Sequence, residues 1–122
     1  MSRHDDSLRL RHMLTHAREA VEMSQHRQRA DLETDRMLEL SLVRLLEIVG
    51  EAASRVSRQT QERFASLPWP DIVGLRNRLI HGYDQVDHDI LWDIIREDLP
   101  PLIAELERVL EQLKDEGMSR FD

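Results

Sequence analysis

Apolar residues recur at intervals of three and four along most of the chain, the spacing of an amphipathic α-helix. The first stripe predicts a helix that starts near residue 5 or 6, and residues 25–29, which carry no apolar side chain, predict a loop or a frayed helix end. The second stripe predicts a helix from about residue 31 or 34 to residue 57. Its apolar face is wide enough for neighbours on two sides, so we expect this helix to be central.

Capping residues, proline and glycine predict shorter helices after this point. Ser57 is placed to cap a third helix that ends at Phe64. Pro70 suits the first turn of a fourth helix, because proline needs no hydrogen-bond donor there. Gly82 is predicted to end that helix as a left-handed C-terminal cap, and Asp87 is predicted to begin a fifth helix as its N-cap.

The fifth helix keeps its apolar phase to Leu113, but Pro100-Pro101 interrupts it and predicts a kink or a break into two collinear pieces. Gly117 is predicted to end it, which leaves a loose tail from about residue 117. The expected fold is therefore all-α, an antiparallel bundle of four to five helices with two long ones. A single domain over residues 1–122 is expected.

Composition narrows the classes of function. Cysteine is absent from the 122 residues, which excludes disulfides and thiolate metal sites, and no apolar run approaches the roughly 20 residues of a membrane helix. A cytoplasmic protein is expected, with no membrane partner and no DNA partner. The net charge of −7 opposes non-specific binding of nucleic acid, so any RNA contact has to be local, through an arginine cluster. The same acidity either keeps the protein soluble or leaves room for a basic protein partner.

Five residues capable of binding or chemistry fall within residues 74–83, namely Arg76, Asn77, Arg78, His81 and Tyr83. Arginine holds phosphate through two parallel hydrogen bonds, and histidine moves protons near neutral pH. Tyrosine offers a hydroxyl group that can be modified. These are the groups that a metal-independent ribonuclease needs, in which the ribose 2′-hydroxyl attacks the adjacent phosphate.

The predicted helix geometry does not by itself bring the arginine and histidine together. Asn77 and His81 are four residues apart and share a helix face, so Asn77 is placed to orient His81 or to bind a phosphate oxygen. Arg76 and His81 lie about 140° apart around the axis of an ideal helix. Either a bend at Gly82 or a two-fold dimer that lines one cleft from both copies resolves this, and we favour the dimer.

Structural roles stay open for several of these residues. Arg76 is able to form an ion pair with Glu51 or Asp84, and His81 is favoured at a helix C-terminus whatever its chemistry. Tyr83 can pack its ring and expose its hydroxyl. The pair His12 and His16 could bind a metal weakly, but a solvated pair is the better interpretation without further ligands. No metal site and no cofactor are expected.

Four further residues are candidates for structural or dimer support. Gly50 lies inside the central helix, where close approach of another helix explains its presence. Glu51 beside it is either an ordinary exposed glutamate or partly buried against an arginine. Trp69 and Trp92 are interpreted as core or interface anchors, since so few aromatic residues do not make a base-stacking surface.

The pattern Arg-Asn-x-x-x-His-x-Tyr from Arg76 to Tyr83 resembles the signature of HEPN-superfamily ribonuclease toxins, specifically the HepT-like group. The resemblance covers roughly residues 5–113 and includes the segments 44–52, 68–75, 86–87, 91–92 and 98–102. It implies a HEPN-like helical bundle that dimerises with its motif helices near the shared axis. It also implies that Arg76 and His81 are the catalytic pair, with Asn77 beside them.

The resemblance further implies an RNA substrate, either tRNA or mRNA, and a toxin–antitoxin pair. The antitoxin of this group is a minimal nucleotidyltransferase that transfers AMP to the motif tyrosine, here Tyr83. A homodimer, or a larger hetero-oligomer with the antitoxin, is expected. Two other functions stay open: a non-catalytic helical module that binds a nucleotidyltransferase, and a purely structural helical dimer.

Overall fold

The computed structural model describes the backbone of residues 3–121 and the side chains of residues 5–117. Its elements follow in the order α1 (Arg3–Ser24), α2 (Asp31–Thr34), α3 (Arg36–Ser54), α4 (Arg58–Arg63), α5 (Trp69–Val73), α6 (Leu75–Leu79), β1 (Ile80–His81), β2 (Gln85–Val86), α7 (His88–Asp93), a π-helical turn (Ile94–Asp98) and α8 (Leu99–Phe121). The predicted all-α class is confirmed. Within residues 3–121, β structure is limited to the hairpin of β1 and β2.

The core lies among the three long helices, α1, α3 and α8. Helix α1 packs against both α3 and α8, and α3 also contacts α2, α5 and α6. Most of the stripe predicted for the first helix is buried, and so are most leucines and the valines of α3, as expected for a central helix: Leu10, Met13, Leu14, Ala17, Ala20, Leu38, Leu42, Val43, Leu45, Leu46 and Val49. No helix in the described part of the chain is long and apolar enough to cross a bilayer.

The predicted second helix is divided at Asp35, which separates α2 from α3. Asp35 has an extended backbone, and its side chain accepts a hydrogen bond from the Leu38 N–H at 3.0 Å, so it begins α3 as an N-cap. Arg27 donates a 2.7 Å hydrogen bond to the same carboxylate. These contacts favour a new helix start over continuation, and α3 then ends at Ser54, three residues before the predicted end at Ser57.

The predicted fourth helix is also divided, at Gly74, and it ends at Leu79 rather than at Gly82. Ile80 is extended and pairs with Val86, and the next pair is His81 with Gln85. Gly82 has the predicted positive φ, +72°, but it lies in the turn of this hairpin and does not cap the helix. The predicted caps Ser57 of α4 and Asp87 of α7 are both confirmed.

The interruption predicted at Pro100-Pro101 takes the form of the π-helical turn that immediately precedes α8. Proline has no N–H, so these two residues cannot donate to the carbonyls four residues earlier, those of Arg96 and Glu97. A wider turn at this point accommodates the missing donors. The backbone of α8 continues through Gly117 to Phe121, so the prediction that Gly117 ends the helix is wrong.

Candidate active site

Arg76 is held on the outside of α6 by a carboxylate of the central helix. Its Nε donates a 2.9 Å hydrogen bond to Oε2 of Glu47, whose other oxygen lies 4.0 Å from the Arg44 guanidinium. The Arg76 side chain is 60% exposed. Within residues 5–117, its two Nη nitrogens have no protein partner, so the forked end of the guanidinium is available to a phosphate.

A groove of about 380 Å³ lies beside Arg76, lined by Arg44, Glu47, Gly50, Glu51, Ser54, Val73 and Arg76. Gly50 lies at the base of this groove, where the backbone of α5 leaves no room for a side chain. A Cβ at this position would stand 2.9 Å from the carbonyl oxygen of Ile72, which is backbone and cannot rotate away. The close approach predicted for Gly50 is thus confirmed, and α5 is the element that approaches.

His81 is presented by the β-hairpin and not by the motif helix. Its Nε2 lies 3.4 Å from Oδ2 of Asp87, and its side chain is 59% exposed. Asp87 uses its other oxygen, Oδ1, to accept the Ile90 N–H at 3.0 Å at the start of α7. The Ile90 N–H is the main cause that holds the pKa of Asp87 below its usual value, and the His81 imidazole lowers it further.

The remaining motif residues are exposed but lie in different surroundings. The Asn77 amide makes no hydrogen bond within residues 5–117. Arg78 donates to Asp98 at 3.3 Å and lines a second groove, of about 570 Å³, between α5 and the start of α8. Tyr83 stands at the tip of the hairpin with 89% of its surface exposed.

The structure corrects two expectations about this region and decides between the two interpretations of Glu51. His81 lies on a strand, so it does not share a helix face with Asn77. Glu51 is exposed and bonds Arg55 of its own helix at 3.3 Å, so of its two interpretations the ordinary exposed glutamate is confirmed. The ion-pair partner of Arg76 is Glu47; the predicted partners Glu51 and Asp84 are wrong.

The contacts of Glu47 with Arg76 and of Asp87 with His81 were not identified from the sequence, although signals for both exist. Glu47 lies one helical turn before Gly50, and Gly50 marks the level at which α5 crosses α3. Asp87 follows the Gly82 turn at a spacing that makes it the diagonal neighbour of His81 once the hairpin forms. Both signals depend on knowing which element crosses or pairs at that point.

The two tryptophans and the pair His12 and His16 make contacts that are typical of structural roles. Trp69 is buried, and its Nε1 donates a hydrogen bond to the Phe64 carbonyl at 3.1 Å. Trp92 is half-buried, and the Cζ atom of Arg96 lies 4.5 Å from the centre of its ring. The rings of His12 and His16 meet edge to face, and His16 Nδ1 lies 2.7 Å from the His12 carbonyl oxygen. No cluster of three possible metal ligands occurs among the described residues.

The region thus presents a guanidinium and an imidazole, each exposed and each in contact with one carboxylate. Comparison with family models identifies the family of the chain. The model described as "Ribonuclease HepT-like" matches residues 13–109, from the middle of α1 into α8, and includes every motif residue. The chain belongs to the HepT-like ribonuclease family. The predicted family is confirmed, and with it the predicted enzyme class, an endoribonuclease.

Curated relatives of this HepT-like chain agree. It is 35% identical over 109 residues to "Putative RNase MJ1380" of Methanocaldococcus jannaschii, and this alignment covers 89% of this chain and 100% of the relative. It is 34% identical to "Putative RNase TTE0752" of Caldanaerobacter subterraneus, over 69% of this chain and 75% of the relative. It is 32% identical to "Probable ribonuclease HepT" of Thermococcus cleftensis, over 65% and 72%. No solved structure matches the chain.

Proposed function

We propose that this HepT-like ribonuclease cuts within RNA strands without a metal, with Arg76 and His81 as its catalytic pair. The observation that carries the proposal is that both side chains are more than half exposed, while a carboxylate holds each of them in place. Residues that served only the core would be covered. Arg76 presents its free Nη nitrogens to the scissile phosphate, and His81 serves the proton transfer.

The step transfers one phosphoryl group within the RNA. The ribose 2′-oxygen forms a bond to the adjacent phosphorus, and the bond from phosphorus to the 5′-oxygen of the next nucleotide breaks. His81 accepts the proton of the 2′-hydroxyl, and the leaving 5′-oxygen gains a proton from water. The products are a 2′,3′-cyclic phosphate and a 5′-hydroxyl end. Arg76 stabilises the charge that develops on the phosphate oxygens.

A homodimer completes the site in this proposal. The face of α3 that does not enter the core carries Met37, Leu40, Arg44, Glu47 and Glu51 at helical spacing. Met37 and Leu40 are exposed hydrophobic residues, and Val73 of α5 continues the same surface beside Arg76. Exposed apolar side chains that cluster at one face favour an interface. A two-fold axis through this face brings two Arg76 side chains close together.

Asn77 and Arg78 position the RNA strand. Asn77 is exposed between the two arginines of α6, with a free amide that can contact a phosphate or a 2′-hydroxyl. Arg78 points to the other groove, so it contacts a phosphate further along the strand than Arg76 does. Gly50 and Trp69 support the site by fixing α5 against the central helix.

The biological role proposed is that of a toxin acting on tRNA or mRNA in the cytoplasm, paired with a nucleotidyltransferase antitoxin. Tyr83 is 89% exposed at a hairpin tip, where a second enzyme can reach its hydroxyl, and His81 lies two residues away on the same hairpin. AMP joined to Tyr83 would place its phosphate group beside the imidazole and compete with the RNA backbone.

The ribonuclease step is tested with purified protein, RNA and an excess of EDTA. We expect cleavage that leaves 2′,3′-cyclic phosphate and 5′-hydroxyl ends, and no cleavage of a substrate with a single 2′-deoxyribose at the cut site. Cleavage of the deoxy-substituted strand, or ends with a 5′-phosphate, would overturn 2′-hydroxyl attack.

The toxin role is tested by mass spectrometry of the protein made with and without a nucleotidyltransferase encoded beside it. We expect added AMP on Tyr83 and loss of cleavage only in the co-expressed sample, and no addition on Tyr83→Phe. An unmodified tyrosine together with a tight complex and intact RNA would favour the non-catalytic partner-binding module.

A further inference from the structure

Asp87 is the one carboxylate that the structure places in contact with the His81 imidazole among the described residues, 3.4 Å from Oδ2 to Nε2. The two oxygens of Asp87 do different things. Oδ1 accepts the Ile90 N–H at 3.0 Å and begins α7, which leaves Oδ2 facing the imidazole. The carboxylate is therefore anchored by backbone, and its orientation does not depend on the histidine.

The hairpin fixes the histidine relative to this anchor. His81 pairs with Gln85, and alternate residues of a strand lie on the same side, so Asp87 is the diagonal neighbour of His81 across the ladder. The Asp87 N–H donates to the Leu79 carbonyl at 2.8 Å and closes the hairpin next to this pair. The positive φ of Gly82 allows the tight turn that the pairing requires.

We propose that Asp87 is a positioning residue for His81, which holds the Nε2–H of the imidazole so that Nδ1 faces the RNA as the proton acceptor. This inference rests on the proposed function of His81. A carboxylate that binds one ring nitrogen fixes the tautomer and stabilises the imidazolium formed when the other nitrogen takes a proton. The lowered pKa of Asp87 agrees with this role, because the carboxylate is ionised throughout the neutral range.

Other ionisable groups near this pair come from two elements. Tyr83 and Asp84 lie on the turn of the same hairpin, and His88 and Asp89 follow Asp87 on α7. Both residues of α7 have partners elsewhere: His88 contacts Glu39 of the central helix, and Asp89 contacts Arg29. They hold the start of α7 in place without touching His81.

The test compares Asp87→Asn with a matched control, Asp35→Asn. Asparagine caps a helix as well as aspartate does, so both variants keep an N-cap while losing a charge. Asp35 caps α3 with the same 3.0 Å hydrogen bond to a backbone N–H, but it contacts Arg27 and no histidine. We expect Asp87→Asn to cut RNA about tenfold more slowly at neutral pH, and Asp35→Asn to cut at the wild-type rate.

The comparison of the two variants separates positioning from folding. An unchanged rate in Asp87→Asn would overturn the proposal. The proposal would also be overturned if both variants lost the same share of the cleavage rate and both lost unfolding free energy to match.

A readout without RNA keeps this inference distinct from the proposed function. The ¹⁵N shifts of the His81 ring report which nitrogen carries the proton in the free protein. We expect the Nε2–H form to predominate in the wild type and to lose population in Asp87→Asn. Identical ring shifts in the two proteins would overturn the positioning role. If the shifts change but the wild type cuts no RNA, the proposed function fails and the Asp87–His81 pair stands.

Discussion

The three long helices and the segment from Trp69 to Asp98 are built on different principles. Helices α1, α3 and α8 run for 22, 19 and 23 residues and bury continuous apolar stripes against one another. In the segment, no α-helix exceeds six residues, and a hairpin and a π-helical turn interrupt them. Yet every residue of the proposed catalytic motif lies in this segment. The fold depends on the long helices, and the proposed chemistry depends on short elements held by polar contacts.

The comparison also shows how a small all-α protein displays reactive groups. On a straight helix, Arg76 and His81 would point about 140° apart. Ending the helix at Leu79 and starting a strand at Ile80 frees His81 from that geometry. Each group is then held by a carboxylate from a neighbouring element, Glu47 of α3 and Asp87 at the start of α7.

The largest effect on stability is expected from the long helices. Leu46→Ala removes a fully buried side chain of α3 and should lower the unfolding free energy by about 3 kcal/mol. Cleavage per folded molecule should stay at the wild-type level, since Leu46 is buried in the core whereas the motif side chains are exposed. Denaturant titration and a cleavage assay measure the two quantities. Met23→Ala, at a partly exposed position of α1, is the control and should change stability by less than about 0.5 kcal/mol.

The sequence predicts the long helices better than it predicts the segment from Trp69 to Asp98. The long stripes predict α1 and the central helix, because many residues agree on one periodicity, and Pro100-Pro101 predicts the late interruption. The breaks at Asp35 and Gly74 and the hairpin after Leu79 were missed, because each depends on a few residues and on tertiary contacts. Glu47 and Glu51 lie one turn apart on α3, so spacing alone does not decide which of them reaches Arg76.

The next prediction concerns the contact between the two regions, where α5 approaches α3. Gly50→Ala adds a Cβ that would stand 2.9 Å from the Ile72 carbonyl oxygen, so α5 has to move. We expect a loss of about 1–2 kcal/mol although alanine favours helix, together with slower cleavage, because the groove beside Arg76 shifts. Gly117→Ala on α8 is the matched control, since its Cβ meets nothing within 4 Å. A stabilised Gly50→Ala protein would contradict the close approach.

An effect on stability of similar size is expected at Asp6, whose side chain links α1 to the start of α4. Its buried carboxylate accepts from the Ser57 N–H at 2.9 Å and from the Ser57 and Thr60 hydroxyls, both at 2.6 Å. Burial alone would raise the pKa of Asp6, but these hydrogen bonds outweigh it and lower the pKa. The stability contributed by ionised Asp6 is therefore full above its unfolded pKa of about 4 and is lost as the pH falls through the folded value.

Asp6→Asn places an amide where three donors converge and should cost about 1–2 kcal/mol near neutral pH. The difference in unfolding free energy from the wild type should shrink as the pH falls from 6 towards 3. Chemical denaturation at several pH values measures it. A difference that is constant with pH would show that the charge of Asp6 contributes nothing.

The smallest effects on stability are expected from substitutions of Glu47 and Arg78. Glu47→Gln keeps the size of the side chain but weakens its hold on Arg76, and we expect cleavage to slow by about tenfold with stability nearly unchanged. Arg78→Ala, on the far side of α6, should slow cleavage only about twofold to threefold, because Arg78 meets a phosphate outside the reacting one. Cleavage kinetics rank the two variants, and a greater loss in Arg78→Ala would reverse the assignment of the reacting groove.

The most direct test measures cleavage and unfolding free energy on the same purified double variant, Arg76→Ala with His81→Ala. Both side chains are exposed and lie outside the core, so the unfolding free energy should change by less than about 1 kcal/mol. Cleavage should fall at least about 10³-fold, equivalent to about 4 kcal/mol of barrier. RNA cleavage that persists in the folded double variant would contradict the assignment of the catalytic pair.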